Sequence, residues 1–116
     1  MKVSFGGFGE TVATFYNSAS AGAATGELVK MSGNGEIAAC SANNAFCGVC
    51  VSADEEYAAV QMGGFVSVPY AGSDPALGFV KLAASDKGKV KVDATNGREC
   101  LVIEHDTAAK TVGFIL

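Results

Sequence analysis

The chain nearly repeats itself. Leu-Val-Lys-Met at residues 28–31 and Gly-Glu-Ile at residues 35–37 return as Phe-Val-Lys-Leu at residues 79–82 and Gly-Lys-Val at residues 88–90. An open solenoid needs about three or more stacked units to bury a continuous core. The repeat therefore predicts two copies of one unit that fill residues 27–116 and form one compact, pseudo-duplicated domain. The match continues at residues 47–50 with 100–103 and at 60–62 with 112–114, the offset varying between 51 and 53 positions.

Within the repeated region the apolar residues recur at every second position. Lys-Val-Lys-Val-Asp at residues 89–93 alternates in this way, as expected for a half-buried antiparallel strand. Pro69 has no amide hydrogen, which predicts a position on a sheet edge or at a strand end. Clusters of Gly, Asn, Asp and Ser separate the runs and predict turns. We therefore expect an all-β domain, a compact barrel or sandwich of about eight short strands.

The first 26 residues differ in composition. They are rich in Gly, Ala and Ser, and residues 11–16, Thr-Val-Ala-Thr-Phe-Tyr, have the content of a strand. The tract after them offers too little apolar surface to order itself, and Gly22 and the serines weaken the helical alternative. The sequence thus predicts a flexible N-terminal arm over residues 1–26 and a β domain over residues 27–116.

Charge and composition exclude several classes of partner. Twelve acidic against eight basic residues give a net charge of -4, so a phosphate-binding surface and a nucleic acid partner are not expected. No apolar run approaches the ~20 residues of a membrane span, and the first residues lack the apolar segment of a signal peptide. Charged residues make up only 17% of the chain, against about 25% in soluble domains. We therefore expect part of the surface to be covered by an oligomer or an assembly.

The four cysteines point to a reducing compartment and free thiols. Cys47 and Cys50 form a CxxC motif, which elsewhere marks a redox pair or half of a zinc site. Here the motif lies in an apolar strand, where residues three apart face opposite sides of a sheet. We therefore expect buried structural thiols, with no disulfide and no metal.

Other chemistry has weak support in the sequence. His105 is the single histidine and follows a predicted strand, and the acidic residues 54–56 are expected to form a solvated turn. The glycines do not form a phosphate-binding loop between a strand and a helix. We expect no enzymatic activity and no cofactor.

The chain resembles the capsid decoration, or cement, proteins of tailed bacteriophages, in the broad sense that includes the lambda-type head decoration proteins. These proteins have a Gly/Ala/Ser-rich N-terminal segment followed by a β domain with characteristic strand motifs. The matching segments are Gly-Glu-Leu-Val at residues 26–29, Phe-Cys-Gly-Val-Cys-Val at 46–51, Val-Gln-Met-Gly-Gly-Phe-Val at 60–66, Gly-Phe-Val-Lys-Leu at 78–82, and Val-Gly-Phe-Ile-Leu at 112–116.

This resemblance implies a structural virion protein that is made in the host cytoplasm, trimerises on the capsid exterior and binds the major capsid protein of the mature shell. Aromatic side chains in a segment of small residues are natural anchors. We therefore expect the capsid contact in the arm, at Phe5, Phe8, Val12, Phe15 and Tyr16. Another virion role, such as a head-fibre base, and a small ligand-binding β module are the alternatives.

Overall fold

The computed structural model describes residues 10–116, and all regular structure in that part of the chain is β-strand. The all-β prediction is confirmed, with ten strands in two sheets where about eight were expected. The strands are β1 (Thr11–Asn17), β2 (Leu28–Gly33), β3 (Glu36–Ala39), β4 (Gly48–Ala53), β5 (Tyr57–Gly63), β6 (Phe65–Pro69), β7 (Gly78–Ala84), β8 (Val90–Val92), β9 (Arg98–Asp106) and β10 (Thr111–Ile115).

The first five strands close into a barrel in the order β1-β3-β2-β4-β5. β1 completes the barrel because it pairs with β5 on one side, antiparallel, and with β3 on the other side, parallel. The remaining neighbours in the barrel are antiparallel. Closure satisfies the backbone groups that an open sheet leaves on its edge strands.

The last five strands repeat this arrangement in the order β6-β10-β9-β7-β8. When each strand number is lowered by five, every neighbouring pair also occurs in the barrel. The two edge strands of this second sheet meet at a parallel bridge between Tyr70 and Val90. β1 and β3 pair at the corresponding place, through Asn17 and Ile37. The second copy therefore has the same fold as the first. Its two edge strands are joined by a single bridge, whereas β1 and β3 pair at two positions. Pro69 ends β6, an edge strand, as predicted.

The duplication extends to the pairing of individual residues. Val29 lies opposite Ala39 in the first copy, and Leu82 lies opposite Val92 in the second, 53 positions later in both strands. A bulge in β4 returns at the matching place in β9. The β7–β9 ladder alone is displaced, by two residues relative to β2–β4. An even displacement keeps every side chain on its original face of the sheet.

The boundary between the copies differs from the sequence prediction. β1 is the counterpart of β6, so the strands of the two copies span residues 11–63 and 65–115, and the first copy includes residues that were predicted to form an arm. The repeat in the sequence does not reveal this boundary, because β1 and β6 have equivalent pairing partners but dissimilar side chains.

The segment between β1 and β2 is held against the barrel by Asn17. Its side-chain amide donates to the carbonyls of Ala23 (3.1 Å) and Asp54 (2.9 Å), and its carbonyl oxygen accepts from the amide of Ala23 (2.8 Å). Ala23 is buried in the barrel core. The tract after β1 is thus joined to the barrel at Ala23, and residues 1–9 lie outside the described part of the chain.

Two apolar cores are present, one inside the barrel and a second that is built from residues of both copies. Four members of the second core, Leu28, Cys40, Phe46 and Val49, come from the first copy. The first core comprises Ala23, Val29, Ile37, Cys50, Ala58 and Val60. The second core adds to those four Val66, Val68, Tyr70, Leu82, Ala84, Val90, Cys100, Val102, Val112 and Phe114.

The junction between the copies is both packed and hydrogen-bonded. The ring centroids of Phe46 and Phe114 lie 5.9 Å apart, and the Arg98 guanidinium sits 5.8 Å from the centre of the Phe46 ring. The amide of Leu28 donates to the carbonyl of Lys87 at 2.7 Å. Aromatic packing and a cation over a ring each stabilise the junction in addition to the burial of apolar area. The halves therefore form one structural unit.

Candidate functional site

The structure separates the predicted contact residues onto two sides of β1. Phe15 points inward and packs against the first core, whereas Val12 and Tyr16 face outward and are 46% and 55% exposed. The separation follows from the alternation of side chains along a strand. Phe5 and Phe8 lie outside the described residues. Of the described candidates, only Val12 and Tyr16 are available to a partner.

Tyr57 joins these two residues on the outer wall of the barrel. It lies opposite Tyr16 in the β1–β5 ladder, and the two rings stack with centroids 5.5 Å apart and an interplanar angle of 27°. Tyr57 is 44% exposed. Val12, Tyr16 and Tyr57 are called the outer-wall patch below. Tyr57 is not among the candidates predicted from the sequence, because only the pairing of β1 with β5 brings it to this surface.

Small side chains next to the tyrosine pair leave a shallow groove across β1, β5 and β4. Thr14, Ala59 and Ser52 lie opposite one another in adjacent ladders and line it together with Tyr57. The patch therefore combines aromatic rings with a depression into which a partner's side chains can fit. Aromatic residues beside a groove are typical of protein-binding surfaces.

A second apolar surface crosses the outside of the second sheet. Phe79 lies opposite Leu101, Leu101 opposite Ile115, and Ile115 opposite Phe65 in three successive ladders. These four residues are called the apolar row below. Phe79 is 72% exposed, and the other three are half-buried. The Phe65 ring covers Gly113, where an added Cβ would lie 2.7 Å from two ring carbons.

The cysteines are free and largely buried, but their placement corrects one expectation. Cys47 and Cys50 both pack against the first core and do not diverge to opposite faces. The reason is that β4 begins at Gly48, so Cys47 lies in the preceding loop, where strand alternation does not apply. Cys40 and Cys100 belong to the second core.

Burial raises the pKa of both Cys40 and Cys100 from 9.0 to about 11. The unfolded chain therefore releases these protons at lower pH than the folded protein, and the free energy of unfolding should fall as pH rises from about 9 to 11. The fall should be at most about 1.4 kcal/mol per thiol for each pH unit. Urea denaturation at several pH values measures it. The variant with Cys40→Ala and Cys100→Ala should show a shallower fall, and an equally steep one would contradict the assignment.

The polar residues named in the sequence analysis have structural contacts. His105 Nδ1 donates to the carbonyl of Pro75 at 2.8 Å, which fixes the ring against the loop before β7. The Asp54 carboxylate accepts the amides of Tyr57 and Glu56, both at 2.8 Å, and these hydrogen bonds lower its pKa. Asp54 thus caps the turn between β4 and β5. Residues 10–116 contain no group of three or more His, Cys, Asp or Glu arranged to hold a metal ion.

Comparison with known proteins gives no relative. No protein-family model, curated protein or solved structure matches the chain. The part of the chain that the structure describes has no helix long and apolar enough to cross a membrane.

Proposed function

We propose that this protein is a capsid decoration protein that binds the exterior of a tailed-phage shell and stabilises its mature form. Its partner is the major capsid protein, and the outer-wall patch makes the contact. The observation that carries this proposal is the exposure of Val12, Tyr16 and Tyr57 together on one face. Exposing apolar and aromatic side chains in water is unfavourable, so such a patch favours a protein partner.

Stabilisation of the shell follows from selective binding. A ligand that binds one state of an assembly more tightly than another shifts the equilibrium towards that state. A homotrimer carries three patches, and a second contact from the same particle forms at high effective concentration. Modest affinity at each patch is then sufficient for firm attachment. The rigid attachment of β1 to the barrel further lowers the entropy lost on binding.

Co-sedimentation with empty shells tests the proposal. The shells are assembled from the major capsid protein encoded with this chain and used before and after expansion. We expect the wild-type protein to pellet with expanded shells and the double variant Tyr16→Ser, Tyr57→Ser to bind them about tenfold more weakly or worse. Val92→Ser, which changes an exposed apolar residue of the other copy, is the matched control and should bind normally.

Two results would contradict the proposal. If wild-type protein failed to pellet with expanded shells, the decoration function would be wrong. If the double tyrosine variant bound as tightly as Val92→Ser, the capsid contact would lie elsewhere on the molecule. Circular dichroism and thermal melting check that both variants remain folded, which is expected because all three side chains are exposed.

A further inference from the structure

Each copy contains one Asn-Gly dipeptide at a turn, and the fold holds the two dipeptides very differently. Asn34 and Gly35 join β2 to β3, and Asn96 and Gly97 directly precede β9. In such a dipeptide the amide nitrogen of the glycine can attack the side-chain carbonyl carbon of the asparagine, because glycine has no Cβ to hinder the approach. The rate at each turn therefore depends on how firmly the surrounding hydrogen bonds hold these two groups.

Asp93 holds both reacting groups at the second turn. The amide of Gly97 donates to the carbonyl of Asp93 at 2.9 Å, and Nδ2 of Asn96 donates to Oδ2 of Asp93 at 3.3 Å. Gly97 is also closely packed, since a Cβ there would lie 2.4 Å from the carbonyl oxygen of Asp93 and 2.8 Å from the amide nitrogen of Leu82. Attack at Asn96 therefore requires this turn to open first.

The first turn leaves the same groups free. Asn34 and Gly35 are both exposed at the tip of the β2–β3 hairpin. Of the five asparagines in the chain, Asn34 is the one whose side chain makes no hydrogen bond within residues 10–116. Gly35 is loosely packed, because the nearest atom to a Cβ there would be a ring carbon of Tyr16 at 3.9 Å. The Asn34 side chain is thus free to approach the nitrogen of Gly35.

We propose that Asn34 deamidates spontaneously in the folded protein and that the product loosens the closure of the barrel. The Gly35 nitrogen forms a bond to Cγ of Asn34, the Cγ–Nδ2 bond breaks, and ammonia leaves with the proton of the Gly35 amide. The resulting five-membered succinimide then adds water at one of its two carbonyl carbons. Opening at Cγ gives aspartate. Opening at the main-chain carbon gives isoaspartate, in which the backbone continues through the former side chain. Water is the one co-reactant.

Isoaspartate at position 34 changes the backbone beside the pairing that closes the barrel. It inserts an extra carbon before Gly35 and adds a carboxylate. The carbonyl of Gly35 accepts the amide of Tyr16 at 2.8 Å, and β1 and β3 pair at two positions, Tyr16 with Glu36 and Asn17 with Ile37. Displacing Gly35 therefore weakens a short ladder at its start. Because Tyr16 belongs to the outer-wall patch, deamidation also alters that surface.

Peptide mapping by mass spectrometry tests the modification. Folded protein is incubated at physiological temperature and mildly alkaline pH, and the converted fraction of each asparagine is followed over time. We expect Asn34 to convert about tenfold faster than Asn96 or more, because Asn96 must first lose the hydrogen bonds to Asp93. In urea that unfolds the chain, the two rates should become similar, since the dipeptides are the same. Equal rates in the folded protein, or no conversion at Asn34, would overturn the proposal.

Hydrogen exchange tests the effect on barrel closure. In isoaspartyl protein separated by ion exchange, the Tyr16 amide should exchange about threefold to tenfold faster than in fresh protein, as expected for a weakened hydrogen bond. Fresh Asn34→Asp adds the charge without the extra carbon and should show a smaller increase. Incubated Asn34→Gln cannot form the five-membered ring and should keep the slow exchange. Unchanged exchange at Tyr16 in the isoaspartyl protein would contradict the loosening. Both measurements use free protein, so their outcome is independent of capsid binding.

Discussion

Replacing Phe114 with alanine should lower the free energy of unfolding by about 3 to 5 kcal/mol. Phe114 is fully buried, belongs to the second core and packs against Phe46 across the junction. The substitution removes the transfer free energy of the ring and leaves a cavity in the second core, where it meets Phe46 of the first copy. For a domain whose total stability is about 5 to 15 kcal/mol, this is a large fraction.

Urea denaturation followed by far-ultraviolet circular dichroism measures the effect of Phe114→Ala. Phe79→Ala is the matched control, since it removes the same ring from a position that is 72% exposed and should change stability by no more than about 0.5 kcal/mol. The comparison is made at low protein concentration, where self-association does not contribute. Similar losses for both variants would contradict the described core.

Replacing Gly48 with alanine should cost about 3 kcal/mol, at the upper end for overpacking. A Cβ at this position would lie 2.4 Å from the carbonyl oxygen of Gln61 and 2.7 Å from a methyl carbon of Val60. The first of these is backbone within β5, so it cannot move aside without distorting the β4–β5 ladder. Thermal unfolding should show a lower midpoint and urea denaturation a lower free energy.

Gly88→Ala is the control for Gly48→Ala. The nearest atom to a Cβ at Gly88 is Oδ1 of Asp86 at 3.7 Å, an ordinary contact. Alanine there restricts the unfolded chain and should stabilise the protein by about 0.4 to 1 kcal/mol. If Gly48→Ala were as stable as Gly88→Ala, the close approach of β4 to β5 at Gly48 would be wrong.

The sequence by itself determined the fold class and the presence of a duplication. Alternating apolar residues and regularly spaced turn residues specify strands through local geometry. The repeat at residues 28–31 and 79–82 is visible because equivalent core strands need similar apolar side chains. The sequence also named Val12, Phe15 and Tyr16 together as contact candidates, without distinguishing the buried Phe15 side from the exposed side of the strand.

Only the tertiary structure decided where each copy begins and which surfaces are available. β1 is joined to the barrel by partners at residues 36–37 and 57–63, and pairing over such separations leaves little trace in local sequence. The same holds for Phe15, whose inward position depends on which face of β1 meets the core. Leu28 and Phe79 have similar character in the sequence, yet one is buried and the other exposed. The difference arises because the first copy has a neighbour at that face and the second has none within residues 10–116 of its own chain.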